Sequence, residues 1–155
     1  MSRRAQAVIA TPLGRLRLAA EDGALVAVAF TRAAPAPPRD AVTREAARQI
    51  REYFAGRRRR FALPLAPAGT AFQHRVWEAL RAIPFGRTLT YGELARRLGT
   101  SPRAVGGACR ANPLPLVVPC HRVVAVSGPG GYAGHTRGPV AARKRALLRH
   151  EGVAP

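Results

Sequence analysis

The chain has 155 residues, 47% of them apolar, which is enough for one compact unit or two small ones, and its apolar runs are too short to span a bilayer. Lys and Arg total 26 against 8 Asp and Glu, a formal net charge of +18. Lys144 is the only lysine, and beyond residue 86 the only acidic residues are Glu93 and Glu151. This charge favours a polyanionic partner, with nucleic acid ahead of a membrane because no basic amphipathic anchor stands out.

The N-terminal residues and the cysteine content indicate a soluble protein of a reducing compartment, which we expect to be the cytoplasm. Residues 1–6 lack the hydrophobic region of a signal peptide. Cys109 and Cys120 do not form a CxxC pair, so the sequence indicates neither a disulfide framework nor a zinc site. We therefore expect no metal.

Strands joined by turns are predicted for the first third of the chain. Residues 15–18 alternate between Arg and Leu, which is the period of a half-buried strand. Val26, Val28 and Phe30 are predicted to share one face of the next strand. Asp22-Gly23 lies between these two runs and is a signal for a tight hairpin.

A helix is predicted over residues 41–55, after a segment rich in Pro and Ala that breaks regular structure. Gly56 is expected to end this helix. Its apolar face is predicted to contain Val42, Ala46, Ile50 and Phe54.

A basic run and a proline-rich segment follow this helix. The basic run at residues 57–60 is expected to be a solvated patch, and contact with a phosphate backbone is the alternative. Residues 62–69 are rich in proline, which marks a boundary. We therefore predict two domains, residues 1–68 and 69–155.

Three helix starts are marked in the second half of the chain. Residues 70–73 and 90–93 each have the pattern of a capping box, and Ser101-Pro102 supplies an N-cap followed by a proline at the first helical position. Gly99 is expected to end the middle helix. Two short helices joined by a tight turn that contains glycine are typical of a helix-turn-helix motif.

The helix after Ser101-Pro102 contains two consecutive glycines, Gly106 and Gly107. This is unusual, because each glycine inside a helix costs about 1 kcal/mol relative to alanine. Close packing against another helix is one explanation. Close approach of the helix axis to a nucleic-acid groove is the other, and two arginines on the same strip favour it. The residues predicted to contact DNA here are Arg103, Ala104, Gly106, Gly107 and Arg110.

Residues 118–124 place a thiol beside an imidazole at the end of an apolar run. The thiolate of Cys120 would be a strong nucleophile if His121 or Arg122 supplied a base or a positive field. A buried cysteine next to a structural histidine is the alternative. Arg122 could equally be a DNA contact, a helper of the thiolate or an ion-pair partner, and we group it with the DNA-binding residues.

These stretches together resemble the O6-alkylguanine-DNA alkyltransferases (methylated-DNA–protein-cysteine methyltransferases). The likeness covers residues 69–152 and extends more loosely over the N-terminal half. It implies an α+β fold, in which a small ribonuclease-like domain of β-sheet and helix precedes a winged helix-turn-helix-type alkyltransferase domain. The matching motifs are Gly69-Thr-x-Phe-Gln, Thr90-Tyr-Gly-Glu-Leu-Ala, Arg103-Ala-Val-Gly-Gly-Ala, Asn112-Pro, Pro119-Cys-His-Arg-Val, Gly131-Tyr-Ala-Gly and Leu147-Leu-x-His-Glu-Gly152.

The resemblance implies direct-reversal DNA repair without a cofactor. Cys120 matches the thiol that takes the alkyl group from guanine O6, once per molecule. His121 matches the histidine that withdraws the thiol proton through a water, and Glu151 matches the acid that orients this histidine. Tyr91 matches the tyrosine that donates toward guanine N3, and Asn112 matches the asparagine that braces the turn before the cysteine strand.

The resemblance also implies that a monomer binds double-stranded DNA containing O6-alkylguanine and flips the damaged base out of the stack. Arg103 matches the arginine that fills the vacated place, and its helix is expected in the minor groove. Backbone groups at Cys120, Val123 and Ala133 match those that read the guanine edge. Tyr132 matches the residue that walls the pocket, and Pro119 is grouped with them.

The sequence departs from the family pattern at two places. The segment from Gly99 to Arg103 is shorter than in many relatives, and the stretch 135–142 is longer. The longer stretch adds Arg137, and our hypothesis is that it changes which alkyl groups fit or adds a phosphate contact. Cys109 and Trp77 are expected to be core residues.

Three other functions are considered beside alkyl transfer. A non-catalytic lesion sensor on the same scaffold would lack the acceptor cysteine, so Cys120 argues against it. A thiol hydrolase using Cys120 and His121 would leave the DNA-binding face unexplained. A helix-turn-helix regulator would make the cysteine incidental.

Overall fold

The computed structural model describes residues 3–126 and 138–153. The chain divides into two compact units, residues 1–68 and 69–155. The first contains a three-stranded sheet and a helix, and the second is mainly helical. The predicted α+β class is therefore confirmed. In the described part of the chain no helix has both the length and the apolar composition needed to cross a bilayer.

In the first unit, strands β1 (Arg4–Thr11), β2 (Gly14–Glu21) and β3 (Ala24–Thr31) form an antiparallel sheet in that order. The turn between β2 and β3 confirms the hairpin signal in the sequence. Its two residues, Asp22 and Gly23, have φ angles of 49° and 84°. Positive φ at both positions is typical of a type I′ turn, which matches the twist of the flanking strands.

A β-bulge changes which side chains of β3 face the core. Ala19 pairs with Ala27 and Ala20 pairs with Leu25, so Val26 is the extra residue. Alternation therefore shifts at this point, and Leu25 and Val28 are both buried. The predicted shared face is therefore wrong for Val26, whereas Val28 and Phe30 pair in regular register with Leu18 and Leu16 and do share a face.

Helix α1 (Ala41–Phe54) completes the first unit. Asp40 is its N-cap and accepts a hydrogen bond from the Thr43 backbone N–H at 2.8 Å. Ala46 and Ile50 are buried as predicted. Tyr53 rather than Phe54 completes the buried face, which is therefore rotated by part of a turn from the predicted one.

The second unit contains helices α2 (Ala71–Arg81), α3 (Tyr91–Leu98), α4 (Pro102–Arg110) and α5 (Gly138–His150). Two short strands, β4 (Leu89–Thr90) and β5 (Val123–Val124), pair in parallel, and a 3-10 turn (Cys120–Arg122) precedes β5.

All three predicted helix starts are confirmed. Thr70 and Thr90 each form a capping box with the residue three positions on, and Ser101 accepts from the Ala104 backbone N–H at 3.1 Å. Gly99 ends α3 with a φ of 67°. Helices α3 and α4 are thus separated by a short turn, as the helix-turn-helix pattern requires.

Trp77 connects α2 to α4 in the core of the second unit. Its ring is 3% exposed, and its indole N–H donates to the Ala108 carbonyl at 2.9 Å. A Cβ atom at Gly69 would overlap the Trp77 ring, so the glycine permits the close approach of the backbone. The expectation that Trp77 is a core residue is confirmed.

Candidate active site

The segment between α4 and the 3-10 turn is largely buried, and the Asn112 side chain holds it by two hydrogen bonds. Its side-chain amide donates to the Val118 carbonyl at 2.9 Å, and its amide oxygen accepts from the Leu114 backbone N–H at 2.9 Å. Leu116 is buried with a φ of 77°, a region that a leucine rarely adopts. The surrounding contacts therefore hold this loop in a defined shape just before the cysteine.

Cys120 begins the 3-10 turn and is 6% exposed. The expected cysteine strand is therefore wrong, since the pairing with β4 starts at Val123. A 3-10 turn places Cys120, His121 and Arg122 on different sides of a tight backbone. The thiol can thus lie in one environment while its two neighbours contact another.

His121 and Arg122 both bind the carboxylate of Glu151, which follows the end of α5. The His121 Nε2 atom lies 2.8 Å from Glu151 Oε2. Arg122 donates from Nε to Oε1 at 2.9 Å and from Nη2 to Oε2 at 3.0 Å. The side chains of His121 and Glu151 are fully buried. The bidentate arginine keeps this buried carboxylate charged.

Arg122 is consequently not a DNA contact, which corrects its place among the predicted DNA-binding residues. The residue is 6% exposed, and its remaining Nη1 donates to the Ile83 carbonyl at 2.7 Å. A guanidinium that is buried and bonded through all three nitrogens cannot reach a phosphate. Of the three roles considered for Arg122, the structure selects ion pairing.

The contacts of His121 determine which ring nitrogen can accept a proton. The carboxylate of Glu151 can only accept, so Nε2 carries the hydrogen and Nδ1 presents a lone pair. Nδ1 is buried and has no hydrogen-bond partner in the described part of the chain. Burial lowers the pKa of His121, although Glu151 opposes the shift. The imidazole is therefore neutral and poised as a base.

The side chain of Lys144, from α5, contacts both Tyr91 and Val123. Lys144 is 1% exposed. Lys144 Nζ donates to the Val123 carbonyl at 2.6 Å and lies 5.6 Å from the centroid of the Tyr91 ring. Burial, followed by the charges of Cys109 and Cys120, raises the pKa of Tyr91 to about 12. Its phenol therefore remains a hydrogen-bond donor at neutral pH.

Lys144 was not predicted as a site residue. One signal in the sequence points to it, since Lys144 shares the helical spacing of the buried residues Ala141 and Leu148. A cation on the apolar stripe of a helix must find internal partners or neutralise.

The face of α4 that contains Gly106 and Gly107 points away from the core. Val105, Ala108 and Cys109 are buried, whereas Arg103 and Arg110 are exposed. Burial raises the pKa of Cys109 to about 12, so its thiol stays protonated, and its expected place in the core is confirmed.

Within the described part of the chain no helix packs closely against Gly106 or Gly107. Among the described residues, a Cβ atom at Gly106 or Gly107 would approach nothing closer than the Arg110 guanidinium, at 4.0 and 3.9 Å. Helix packing therefore does not require glycine at either position. Ala104 is half-buried beside them.

Some predicted site residues lie outside the described part of the chain. They are Tyr132, Ala133 and Arg137, and residues 135–137 of the longer stretch 135–142 lie there as well, whereas its residues 138–142 begin α5. Pro119 and Val123 are buried beside the 3-10 turn. Within residues 3–126 and 138–153 no three His, Cys, Asp or Glu side chains are grouped as a metal site would need.

The fold and the site define a DNA-binding protein with a buried cysteine beside a histidine–glutamate pair. Residues 71–153 match the family described as "6-O-methylguanine DNA methyltransferase, DNA binding domain", and residues 5–67 match "6-O-methylguanine DNA methyltransferase, ribonuclease-like domain". The chain therefore belongs to the 6-O-methylguanine DNA methyltransferase family.

Individual relatives agree with this assignment. The methylated-DNA–protein-cysteine methyltransferase of Methanosarcina acetivorans is 41% identical over 137 residues, which cover 82% of this chain and 88% of that protein. The protein of the same name from Mycobacterium bovis is 40% identical over 152 residues, covering 92% and 89%.

Solved structures agree as well. A crystal structure of the Mycobacterium tuberculosis O6-methylguanine methyltransferase is 38% identical with a TM-score of 0.84, covering 99% of this chain and 96% of that chain. A structure of the M. tuberculosis protein in complex with DNA has a TM-score of 0.81 at 38% identity, covering 95% and 92%. The predicted family and its methyltransferase activity in DNA repair are thereby confirmed.

Proposed function

We propose that this protein repairs O6-alkylguanine in double-stranded DNA by moving the alkyl group onto Cys120 Sγ. The observation that carries the proposal is the buried lone pair of His121 Nδ1, one residue from the thiol and fixed by Glu151. The names of the relatives and the DNA complex of the M. tuberculosis protein support DNA as the partner.

The reaction follows from the proton positions in the site. His121 Nδ1 withdraws the Cys120 proton, directly or through one water, and the charge of Glu151 stabilises the resulting imidazolium. Sulfur then attacks the alkyl carbon, forming the C–S bond as the C–O6 bond breaks. The electron pair of the broken bond stays on the guanine, and the Tyr91 hydroxyl donates a hydrogen bond toward N3 as this charge builds. The imidazolium of His121 then returns its proton to water, and this balances the proton that the guanine gains from solvent.

The product explains why each molecule acts once. A thioether lacks the polarised carbonyl of a thioester, so water does not release the alkyl group. The sulfur of Cys120 is not regenerated, and no cofactor takes part. One molecule therefore repairs one lesion.

The lesion reaches sulfur only if its nucleotide leaves the stack, because the target carbon is shielded inside a duplex. We assign this task to α4, with Arg103 in the vacated place and the strip of Gly106 and Gly107 against the minor groove. The room around both glycines supports this assignment. Ala104 and Arg110 complete the contact.

The guanine pocket is assigned to the elements around the 3-10 turn. To this pocket we assign Pro119 and the Val123 backbone, both of which are buried. The family resemblance adds Tyr132 and Ala133, which lie outside the described residues. The clasp of Asn112 on Val118 keeps the loop before Cys120 in place. All proposed site residues fall in the domain spanning residues 69–155.

We place this reaction in the cytoplasm and assign it to a monomer. In the described part of the chain neither Cys109 nor Cys120 is in a disulfide, which fits a reducing compartment.

The decisive experiment measures the intact mass of the protein after incubation with a duplex that contains O6-methylguanine. We expect a gain of one methyl group per chain, abolished in Cys120→Ala and retained in the matched control Cys109→Ala. Tight binding of the damaged duplex without a mass gain would instead indicate a lesion sensor. Repeated turnover without a stable mass gain would contradict the single-use reaction.

A further inference from the structure

The first unit is strongly basic, although every residue assigned to the repair reaction lies in the second. Residues 1–68 contain 13 arginines against five acidic residues. Three of these carboxylates are in ion pairs with arginines of the same unit. Acidic side chains therefore balance only a small part of the positive charge, and the proposed reaction gives the remaining charge no role.

This charge is most concentrated at residues 57–60, which follow helix α1 directly. The chain turns at Gly56, whose φ is 77°, and the Arg57 backbone N–H donates to the Glu52 carbonyl at 2.9 Å. Further on, the Gln49 side chain forms two hydrogen bonds of 2.9 Å with the backbone of Ala62. The arginine run therefore returns alongside the C-terminal part of α1 and is fixed at both ends.

Arg58 differs from the other three arginines of the run. Its Nε donates to Glu52 Oε1 at 2.8 Å, and its Nη1 donates to the Arg60 carbonyl at 2.9 Å. The Arg58 side chain is 22% exposed, whereas Arg57, Arg59 and Arg60 are exposed. Neighbouring like charges repel, so an ordered run of four costs free energy that the contacts of Arg58 help to offset. One arginine thus anchors the segment, and three are presented to solvent.

Arg51 adds an exposed cation from the last turn of α1. We call Arg51, Arg57, Arg59 and Arg60 the α1 basic surface. A guanidinium matches phosphate in both charge and geometry. Several arginines clustered on one surface are typical of a contact with a nucleic-acid backbone.

We propose that the α1 basic surface binds the phosphate backbone of double-stranded DNA, independently of sequence and of damage. The partner is DNA because the reaction of the second unit already brings a duplex to the protein. Phosphate contacts position a protein on DNA but carry no sequence information. The surface therefore raises the affinity for undamaged and damaged duplexes alike. This inference goes beyond the proposed function, since it concerns undamaged DNA and residues outside the reaction.

The first test compares two double variants by the salt dependence of their affinity for an undamaged duplex. Arg57→Gln with Arg60→Gln removes two cations from the α1 basic surface. Each lost phosphate contact lowers the slope of log K against log salt by about 0.9, so this variant should lose about 2 in slope and bind at least about tenfold more weakly at about 0.1 M salt. Arg57→Lys with Arg60→Lys keeps both charges and should retain the slope.

The matched control is Arg15→Gln with Arg17→Gln, which also removes two cations from the first unit. Side chains alternate along β2, so Arg15 and Arg17 lie on the sheet face opposite the buried one. This variant has the same net charge as the variant of the α1 basic surface. It should retain the slope and the affinity of the unmodified chain.

The second test uses the unmodified chain, so it does not depend on the folding of a variant. Phenylglyoxal modifies accessible arginines, and mass analysis of peptides reports the modification of each segment. A saturating amount of undamaged duplex should largely abolish the modification of residues 57–60. The modification of residues 15–17 should stay unchanged.

Equal affinity and equal salt slope of the Arg57→Gln, Arg60→Gln variant and the unmodified chain would overturn the proposal. An equal loss in the Arg15→Gln, Arg17→Gln control would do the same, because the effect would then come from net charge alone. Protection of residues 57–60 by an RNA strand but not by the duplex would contradict the choice of DNA. Failure of the proposed function is distinct, since it would appear as no methyl transfer, whereas both tests use undamaged DNA.

Discussion

Replacing Glu151 by glutamine tests whether the buried carboxylate holds the site together. Glu151 accepts from His121 Nε2 at 2.8 Å and from two nitrogens of Arg122 at 2.9 and 3.0 Å. Glutamine retains one acceptor oxygen and replaces the other by an amide that donates. Arg122 would then be a buried cation without a counter-charge, which costs about 3–5 kcal/mol.

This loss should appear in thermal unfolding of the second unit. Each kcal/mol changes the midpoint by about 4–8 °C in a domain of this size, so Glu151→Gln should unfold at least about 12 °C lower. Trp77 is the only tryptophan of the chain and is 3% exposed, so its fluorescence reports on this unit. Glu78→Gln is the matched control in the same unit. Its side chain is 77% exposed, and its removal should leave the midpoint nearly unchanged.

Alkyl transfer should fall together with stability, for a separate reason. The glutamine amide can donate to His121 Nε2, which moves the ring hydrogen to Nδ1 and removes the lone pair that accepts the Cys120 proton. A wrong tautomer of this kind costs on the order of 10³-fold or more in rate. If Glu151→Gln unfolded at the temperature of Glu78→Gln and transferred methyl at the unmodified rate, the assignment of Glu151 would be wrong.

Three further substitutions or conditions test other parts of the structure. Asn112→Ala removes both hydrogen bonds of the loop clasp, and urea titration should show a loss of about 2 kcal/mol together with slower methyl transfer. Gly107→Ala has room for its methyl group and gains up to about 1 kcal/mol of helix propensity, so the unfolding midpoint should hold or rise while affinity for a fluorescent duplex falls. Unchanged affinity would remove Gly107 from the DNA-binding set. Burial lowers the pKa of His121 from its usual 6.5, so the unfolded chain binds this proton at higher pH than the folded chain. Stability should therefore be fully present above about pH 6.5 and decline as the pH falls below it, and a flat profile of the Trp77 midpoint between about pH 7 and 5 would contradict the neutral imidazole.

Local signals in the sequence predicted much of the fold. The capping residues Thr70, Thr90 and Ser101 mark the three helix starts because each satisfies backbone groups of its own first turn. Asp22-Gly23 gives the hairpin because its two residues adopt positive φ. Such features depend on a few neighbouring residues, so the sequence contains the information directly.

Features that depend on distant residues were not predictable in this way. The bulge at Val26 arises from the pairing of two strands, and it changes which side chains face the core. Arg122 was grouped with DNA contacts because its partner Glu151 is 29 residues away, beyond any local pattern. The burial of Lys144 depends on how α5 packs beside the 3-10 turn. The order of the motifs therefore predicts which residues belong to the site. The partners of an individual charged side chain, such as Arg122, depend on tertiary packing.

The depth at which the reactive sulfur lies has a consequence for how long the protein remains usable. Oxidants and small electrophiles modify thiolates according to their accessibility, and Cys120 is 6% exposed. A reagent that works once must survive intact until its target arrives. Burial of the sulfur should therefore slow its reaction with peroxide in solution. It need not slow the reaction with a flipped-out base, because binding would orient that base toward the sulfur.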